Sequence, residues 1–139
     1  MRKMYETPED LKNERIVADK WEERYNCTCH KLPFSYHADF VCMRDSKIVG
    51  FIEVKRRELL WGTHQTFMIS ELKRMNCIKL GEHFGVPSLL VFKYIDGIFW
   101  GNFADEPDFH EIGGRKNSMR DSADIEIMAH WNRDRFKTL

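Results

Sequence analysis

The sequence has no excess charge of either sign, since its 139 residues include 22 basic and 22 acidic side chains. It therefore lacks the high isoelectric point that marks many nucleic-acid-binding proteins. Any such binding must come from local basic clusters. Three are present, at Lys55-Arg56-Arg57, Lys73-Arg74 and Arg115-Lys116, although a solvated surface is the more common role of any single cluster.

Long apolar runs are also missing. No run approaches the roughly 18–20 residues of a membrane-spanning helix, and the start, MRKMYETPEDLKNE, lacks the apolar segment of a secretory signal. We therefore expect an intracellular, cytoplasmic protein with no membrane partner. A composition with 42% hydrophobic and 13% aromatic residues is that of a globular chain, and the length predicts a single domain over residues 1–139.

Cysteine is scarce. Cys27, Cys29, Cys42 and Cys77 are too few and too scattered for a disulfide scaffold, which predicts reduced thiols. The segment Cys27-Thr-Cys-His30 suggests a zinc site. Structural zinc sites, however, usually space paired cysteines by about two to four residues and need a second pair of ligands, which the sequence does not supply. Thiols without a metal are therefore the expectation.

Two helices are predicted. In Thr7-Pro8-Glu9-Asp10, Thr7 is a typical cap, Pro8 suits the first helical position and Asp10 can close a capping box. Apolar residues then recur at helical spacing, which predicts a helix from about Pro8 to Tyr25. A second pattern of this kind predicts a helix from Gln65 to Phe84 that ends near Gly85.

Strands are predicted where β-forming residues cluster between polar turns. The turn Arg44-Asp45-Ser46-Lys47 and the pair Asp96-Gly97 each join two of them into a hairpin. The last run alternates apolar and polar residues in a way compatible with an edge strand, and the preceding basic loop, residues 113–118, is flexible by composition. The predicted strands are Tyr36–Met43, Ile48–Lys55, Ser88–Ile95, Ile98–Phe103 and Ala123–His130.

Three charged residues stand inside these apolar runs. Asp39 lies on the first strand of the first hairpin, and Glu53 and Lys55 lie on the second. Side chains two positions apart on a strand share one face, so Glu53 and Lys55 point the same way. A hairpin centred near Asp45-Ser46 places Asp39 opposite the 52–53 level. Buried charges are costly unless they are paired or bound to a metal, so we treat this trio as a candidate catalytic site.

The chemistry follows from the groups. A hard divalent cation prefers oxygen ligands, which Asp39, Glu53 and the carbonyl of Val54 would offer to Mg²⁺ or Mn²⁺. Such a cation polarises a scissile phosphodiester and activates a bound water. Lys55 would position that water or help to deprotonate it, and would stabilise the developing negative charge.

Asp39 followed by Glu53-Val54-Lys55, after a helix that bears an acid, resembles the PD-(D/E)XK nuclease superfamily. That group includes restriction endonucleases, Holliday-junction resolvases, and phage and homing endonucleases. The resemblance implies an α/β (α+β) fold, a restriction endonuclease-like αβββαβ core with a central mixed sheet flanked by helices. It covers about residues 10–95 and leaves residues 104–139 as a C-terminal extension.

The resemblance also implies further site residues. Glu14 is our choice for the helix acid that completes the metal site, with Glu22 and Glu23 as rivals. Gln65, at the start of the predicted second helix, resembles a glutamine that some subfamilies place beside the lysine. The loop Trp61-Gly62-Thr63-His64 and the basic clusters are expected to face DNA. The expected nucleic-acid-binding residues are Arg56, Arg57, Trp61, His64, Lys73, Arg115 and Lys116.

The resulting hypothesis is a Mg²⁺-dependent endodeoxyribonuclease that cuts duplex or branched DNA. A homodimer is expected, because duplex cleavage needs two sites and so small a subunit presents one. The alternatives are a nucleic-acid-binding module on the same fold without turnover, and a nuclease directed at RNA or at branched junctions. In a non-catalytic interpretation, Glu53 and Lys55 are a solvated pair on an exposed strand face and Asp39 is a surface acid near a turn.

Overall fold

The computed structural model describes residues 7–33, 36–114 and 125–139. In chain order, the described elements are α1 (Pro8–Tyr25), β1 (Thr28–Lys31), β2 (Phe40–Arg44), β3 (Lys47–Arg56), β4 (Thr66–Ser70), α2 (Glu71–Phe84), β5 (Ser88–Tyr94), β6 (Gly97–Asn102), β7 (Phe109–Gly114), β8 (Ile125–Asn132) and β9 (Lys137–Thr138).

The strands form two sheets. The main sheet has six strands in the order β1-β2-β3-β5-β6-β9, and the second has three in the order β4-β8-β7. In the main sheet β3 and β5 are parallel, whereas the other neighbours are antiparallel. The central mixed sheet with flanking helices is confirmed, and the crossover from β3 to β5 contains both β4 and α2.

Helix α1 begins and ends where local signals predicted. The Thr7 hydroxyl accepts a hydrogen bond from the backbone N–H of Asp10 at 3.1 Å, and the Asp10 carboxylate accepts one from the backbone N–H of Thr7 at 3.1 Å. This is the predicted capping box. After Tyr25 the chain turns at Asn26, which has the left-handed backbone conformation that ends many helices.

The first hairpin has the predicted turn and register. Asp45 and Ser46 have φ angles of 52° and 63°, as a two-residue turn with both central residues left-handed requires. Phe40 pairs with Ile52 and Arg44 with Lys47. The start of β2 was predicted too early, because the chain is bent rather than extended through His37 to Asp39.

The N-terminal boundary of the second helix was wrong. Thr66–Ser70 is strand β4, and α2 begins only at Glu71. Along β4 Phe67 and Ile69 are buried whereas Met68 is exposed, which is the two-residue period of a strand. The apolar residues of this segment fit the period of a helix as well as that of a strand. Pairing with β8, which is distant in sequence, makes the segment a strand. The helix does end before Gly85, which has a φ of 66°.

The C-terminal part of the chain contributes more structure than its pattern indicated. Strand β8 lies between β4 and β7, so it is central and not an edge strand. Strand β7 was not predicted, and it includes Gly113 and Gly114. The remainder of the predicted flexible loop, residues 115–118, lies outside the described residues. Strand β9 adds an edge to the main sheet beside β6.

The main sheet buries apolar residues on both faces. On one face α1 packs through Val17, Ala18 and Trp21 against Phe40, Ile52 and Val91. On the other face β5 contributes Leu90, Phe92 and Tyr94 to a cluster with α2 and the second sheet. Neither described helix is both long enough and apolar enough to cross a membrane. Because positions alternate along β3, Glu53 and Lys55 lie on the α2 side.

Candidate active site

Asp39 is fixed by backbone contacts directly before β2. Its N–H donates to the carbonyl of Ile52 and its carbonyl accepts from the N–H of Leu32, both at 2.9 Å. Its carboxylate Oδ2 accepts a hydrogen bond of 2.7 Å from the backbone N–H of Val54. The Cys77 thiol on α2 donates to the carbonyl of His37 at 3.1 Å. These contacts hold the Asp39 carboxylate against β3.

Glu53 is the buried acid of the site, with 5% of its surface exposed. Its Oε2 lies 2.5 Å from Lys73 Nζ, in the first turn of α2. Lys73 is placed there by the helix cap, because its backbone N–H donates to the Ser70 hydroxyl at 3.4 Å. Lys55 is close enough for its charge to act on Glu53. The charges of two ammonium groups therefore act on this carboxylate.

Burial dominates the electrostatics of Glu53. Loss of solvent is the largest cause, and together with the charge of Asp39 and a hydrogen bond with it raises the pKa of Glu53 to about 8. The charges of Lys55 and Lys73 act in the opposite direction but do not cancel this effect. The predicted pair of adjacent carboxyl groups is present.

Glu14 is the acid of α1 that approaches this pair. Lys31 Nζ, from β1, lies 2.9 Å from Glu14 Oε2 and 3.4 Å from Asp39 Oδ1. The rival acids are placed differently. Glu22 accepts a hydrogen bond from the backbone N–H of Cys29 at 2.7 Å, and Glu23 is exposed.

The backbone carbonyl of Val54 points to the edge of β3 on which Asp39 lies. The N–H and the C=O of one residue point to the same side of a strand, and the N–H of Val54 reaches the Asp39 carboxylate. Both groups lie past the end of β2, whose first residue, Phe40, pairs with Ile52.

Gln65 and Trp61 are not brought to the carboxylates by any contact among the described residues. Gln65 precedes β4 and donates to the side-chain oxygen of Asn132 at 2.9 Å, so it does not open α2 as predicted. The Trp61 ring is stacked between Phe67 and Phe99, with centroid distances of 4.0 and 3.8 Å. Both faces of the indole are covered, and neither is free to stack on a base.

The other expected DNA contacts are dispersed. Arg56 lies 3.5 Å from Glu58 and 3.9 Å from both Glu9 and Asp10. The Arg57 guanidinium lies over the Phe92 ring. His64 is exposed, and its carbonyl accepts from Arg133 at 3.4 Å. Arg115 and Lys116 lie outside the described residues.

Two lysines of the site were not recognised from the sequence. Lys31 was not singled out, and Lys73 was assigned to DNA binding alone. Lys31 reaches the acids because β1 pairs with β2, the strand that follows Asp39, and this pairing was not predicted. The position of Lys73 depends on how α2 packs on β3, which no local pattern predicts.

Comparison with known proteins identifies the family. The family model described as "Phage putative PDDEXK endonuclease" matches residues 1–139. The chain belongs to this family. It is therefore an endonuclease of the PDDEXK type, as the resemblance to PD-(D/E)XK nucleases implied. No curated protein matches the chain.

A solved structure supports the fold of this PDDEXK endonuclease. The chain is similar to Hjc, a Holliday junction resolvase from Archaeoglobus fulgidus, with a TM-score of 0.54 and 15% sequence identity. The similarity covers 67% of this chain and 71% of the resolvase. At this identity the match bears on the fold alone, and it agrees with the restriction endonuclease-like core.

Proposed function

We propose that the protein is a metal-dependent endonuclease that hydrolyses DNA phosphodiester bonds at the site formed by Asp39, Glu53 and Lys55. The observation that carries the proposal is the buried Glu53 carboxyl beside Asp39, with lysines at its border. Two adjacent acids, one of them buried, are costly to hold together even beside lysines, so their place in the fold is better explained by a ligand than by stability.

The residues present fit a hard divalent cation. Among the described residues, the buried Glu53 Oε2 contacts Lys73 in an ion pair and makes no hydrogen bond with any other group. Asp39, Glu53, the carbonyl of Val54 and Glu14 would supply the oxygen ligands that Mg²⁺ or Mn²⁺ prefers. When bound, such a cation supplies Lewis acidity and lowers the pKa of a coordinated water.

The chain's own groups then have distinct roles. The N–H of Val54 orients the Asp39 carboxylate. Lys55, on the same face of β3 as Glu53, would hold the attacking water and stabilise charge on the phosphate. Lys31 and Lys73 balance the charges of Glu14, Asp39 and Glu53. The charge of Lys55 acts on Glu53 in the same direction as that of Lys73.

The proposed substrate is DNA, and a branched junction is an alternative to a linear duplex. Membership of a phage endonuclease family supports DNA. The similar archaeal protein is a Holliday junction resolvase, which supports testing junctions. A homodimer remains our proposal, because cutting both strands of a duplex requires two catalytic sites and the described residues of one chain form one candidate catalytic site.

The test is cleavage of labelled linear duplex, four-way junction, single-stranded DNA and RNA, each with and without Mg²⁺. Glu53→Ala and Lys55→Ala are expected to abolish Mg²⁺-dependent cleavage by the otherwise active protein, while circular dichroism stays unchanged. Glu23→Ala, on the exposed surface of α1, is the control and should cleave normally. Full activity in both site variants would refute the assignment. Metal-independent DNA binding without cleavage would favour a binding module.

A further inference from the structure

A second cluster of ligand-type side chains lies on the α1 side of the main sheet, between α1, β1 and β2. Cys27 follows the residue that ends α1, Cys29 lies on β1 and Cys42 lies on β2. Their Sγ atoms all lie within 4.8 Å of one another. Cys29 and Cys42 are buried and Cys27 is half-buried. Cys42 thus supplies one of the further ligands that the Cys27-Thr-Cys-His30 motif lacked.

The backbone creates this proximity. Cys29 pairs directly with Cys42 across the antiparallel strands. The N–H of Cys29 donates to Glu22 and its carbonyl accepts from Arg15, so both groups point away from β2. The two cysteines therefore form a non-hydrogen-bonded pair, the type in which opposite side chains come closest. Their sulfurs lie 3.7 Å apart.

We infer that Cys27, Cys29 and Cys42 form a binding site for a thiophilic d¹⁰ cation, Zn²⁺ in the first place, with a solvent molecule as the fourth ligand. Tetrahedral zinc with bonds of about 2.3 Å to sulfur separates its ligand sulfurs by about 3.8 Å. The sulfurs of Cys29 and Cys42 are already about this far apart. The Cys27 sulfur lies within 4.8 Å of both, so it would need to move only slightly toward them. Cys27 is half-buried, so solvent can reach the cation from the side of this residue.

His30 is not the fourth ligand. It is exposed, and its Nε2 lies 3.1 Å from the hydroxyl of Thr28. Positions 28 and 30 lie on the face of β1 opposite Cys29, because side chains alternate along a strand. Within the described part of the chain, the site therefore offers three protein ligands and an open position.

Cations of the protein flank the cluster. The Arg44 guanidinium donates to the carbonyls of Tyr25 and Asn26, and the Arg15 guanidinium donates to the carbonyl of Cys29. Burial raises the pKa of the Cys27 thiol, and the charge of Arg44 opposes that shift only in part. The hydrogen bond between Cys29 and Cys42 lowers the pKa of Cys29 and raises that of Cys42.

The thiol site differs in chemistry from the carboxylate site. Soft thiolates select Zn²⁺ or Cd²⁺, whereas carboxylates and carbonyls suit Mg²⁺ and Mn²⁺. A cation held by these sulfurs would link the end of α1 to β1 and β2. Leu32, which follows β1 directly, donates its N–H to the carbonyl of Asp39. A cation bound there would thus stabilise the segment that positions Asp39.

The test uses the full chain, kept reduced with a phosphine and saturated with Mg²⁺ to fill the carboxylate site. Titration with Cd²⁺ is followed by thiolate-to-metal charge-transfer absorption, which carboxylate ligands do not produce. Native mass spectrometry counts bound Zn²⁺. We expect one equivalent in the wild type and loss of the band in Cys42→Ser. Cys77→Ser, at the buried thiol outside the cluster, is the matched control and should retain the band.

Cys27→Ser provides a variant at a less buried position if Cys42→Ser does not fold. It should bind Cd²⁺ at least about tenfold more weakly, since it loses a direct ligand. The unfolding temperature of the wild type should rise with Zn²⁺, and that of Cys27→Ser should rise less. Absence of the charge-transfer band in folded, reduced wild type would overturn the inference, as would an equal band in Cys27→Ser. Neither readout depends on cleavage activity, so a failed nuclease assignment would leave this test intact.

Discussion

At the scale of single residues, Glu53 has a measurable effect on stability. Its pKa is raised to about 8, first by burial and then by Asp39, whereas in the unfolded chain it has its ordinary value of 4.5. Between these values the native state keeps a proton that the unfolded chain releases. The free energy of unfolding should therefore fall as the pH rises from about 4.5 to about 8.

Replacement of Glu53 by Gln should remove this decline, because an amide does not titrate. The measurement is urea unfolding in EDTA at about pH 5 and pH 8.5. Wild type is expected to lose stability at the higher pH, and Glu53→Gln is expected to lose less. The same decline in both proteins would contradict the raised pKa. Added Mg²⁺ should restore stability to wild type at the higher pH if the carboxylates bind it.

The helix acid can also be tested at this scale. Glu14 shares Lys31 with Asp39, whereas Glu23 is exposed on the same helix. Glu14→Gln is expected to lower the rate of cleavage by about 10–100-fold, as loss of a group that supports a metal site typically does. Glu23→Gln should cleave at the wild-type rate. Equal rates in the two variants would remove Glu14 from the proposed metal site.

At the scale of elements, the close packing of α2 depends on Gly81. A Cβ added at this position would lie 2.5 Å from the carbonyl oxygen of Val86 and 2.9 Å from the hydroxyl of Ser88. That hydroxyl already donates to the carbonyl of Cys77 at 2.6 Å. The helix and the start of β5 therefore meet at a distance that leaves no room for a methyl group.

We expect Gly81→Ala to reduce the free energy of unfolding by about 1–3 kcal/mol through overpacking. Gly62→Ala is the control, because the nearest atom to its added Cβ is 4.0 Å away, on Arg133. It should change stability by less than about 0.5 kcal/mol. The free energies of unfolding of the two variants can be measured by chemical denaturation. Equal effects would contradict the close packing of α2 against the start of β5.

The elements also show what the sequence can and cannot predict. Helix α1 and the turn at Asp45-Ser46 were predicted because their signals are local, namely a capping box and a short polar turn. The placement of Asp39 opposite Glu53 followed from that turn. Strand β4 was mistaken for helix because its conformation depends on β8. Lys31 and Lys73 were missed for a related reason, since packing between separate elements brings them to the acids.

At the scale of the whole molecule, Trp61 joins the two sheets. Its ring lies between Phe67 of β4 and Phe99 of β6, and Phe136, close to β9, meets it edge-on at 5.7 Å. This position differs from the DNA-facing role that the surrounding loop suggested. The indole instead fills the junction between the main sheet and the second sheet.

Trp61→Ala should therefore cost about 3 kcal/mol of stability, in the range of large-to-small aromatic changes, and Trp61→Phe should cost less. Affinity for DNA, measured per folded molecule by fluorescence anisotropy, should change little in Trp61→Phe. If Trp61→Phe lost much of its affinity for DNA while its stability stayed intact, Trp61 would instead be a DNA-binding residue.

The pairing of β4 with β8 has a consequence for the order of folding. Thr66 pairs with Asn132, so β4 cannot complete its hydrogen bonds until most of the chain is available, and contacts so distant in sequence form slowly. The elements α1, β1, β2 and β3 are contiguous and can assemble early. Helix α2, which follows β4 directly and carries Lys73, should dock late. Pulse-labelled hydrogen exchange should then show protection of the backbone amides of β2 and β3 before the contacts of α2 are complete. Asp39 and Glu53 would thus come together before Lys73 reaches them.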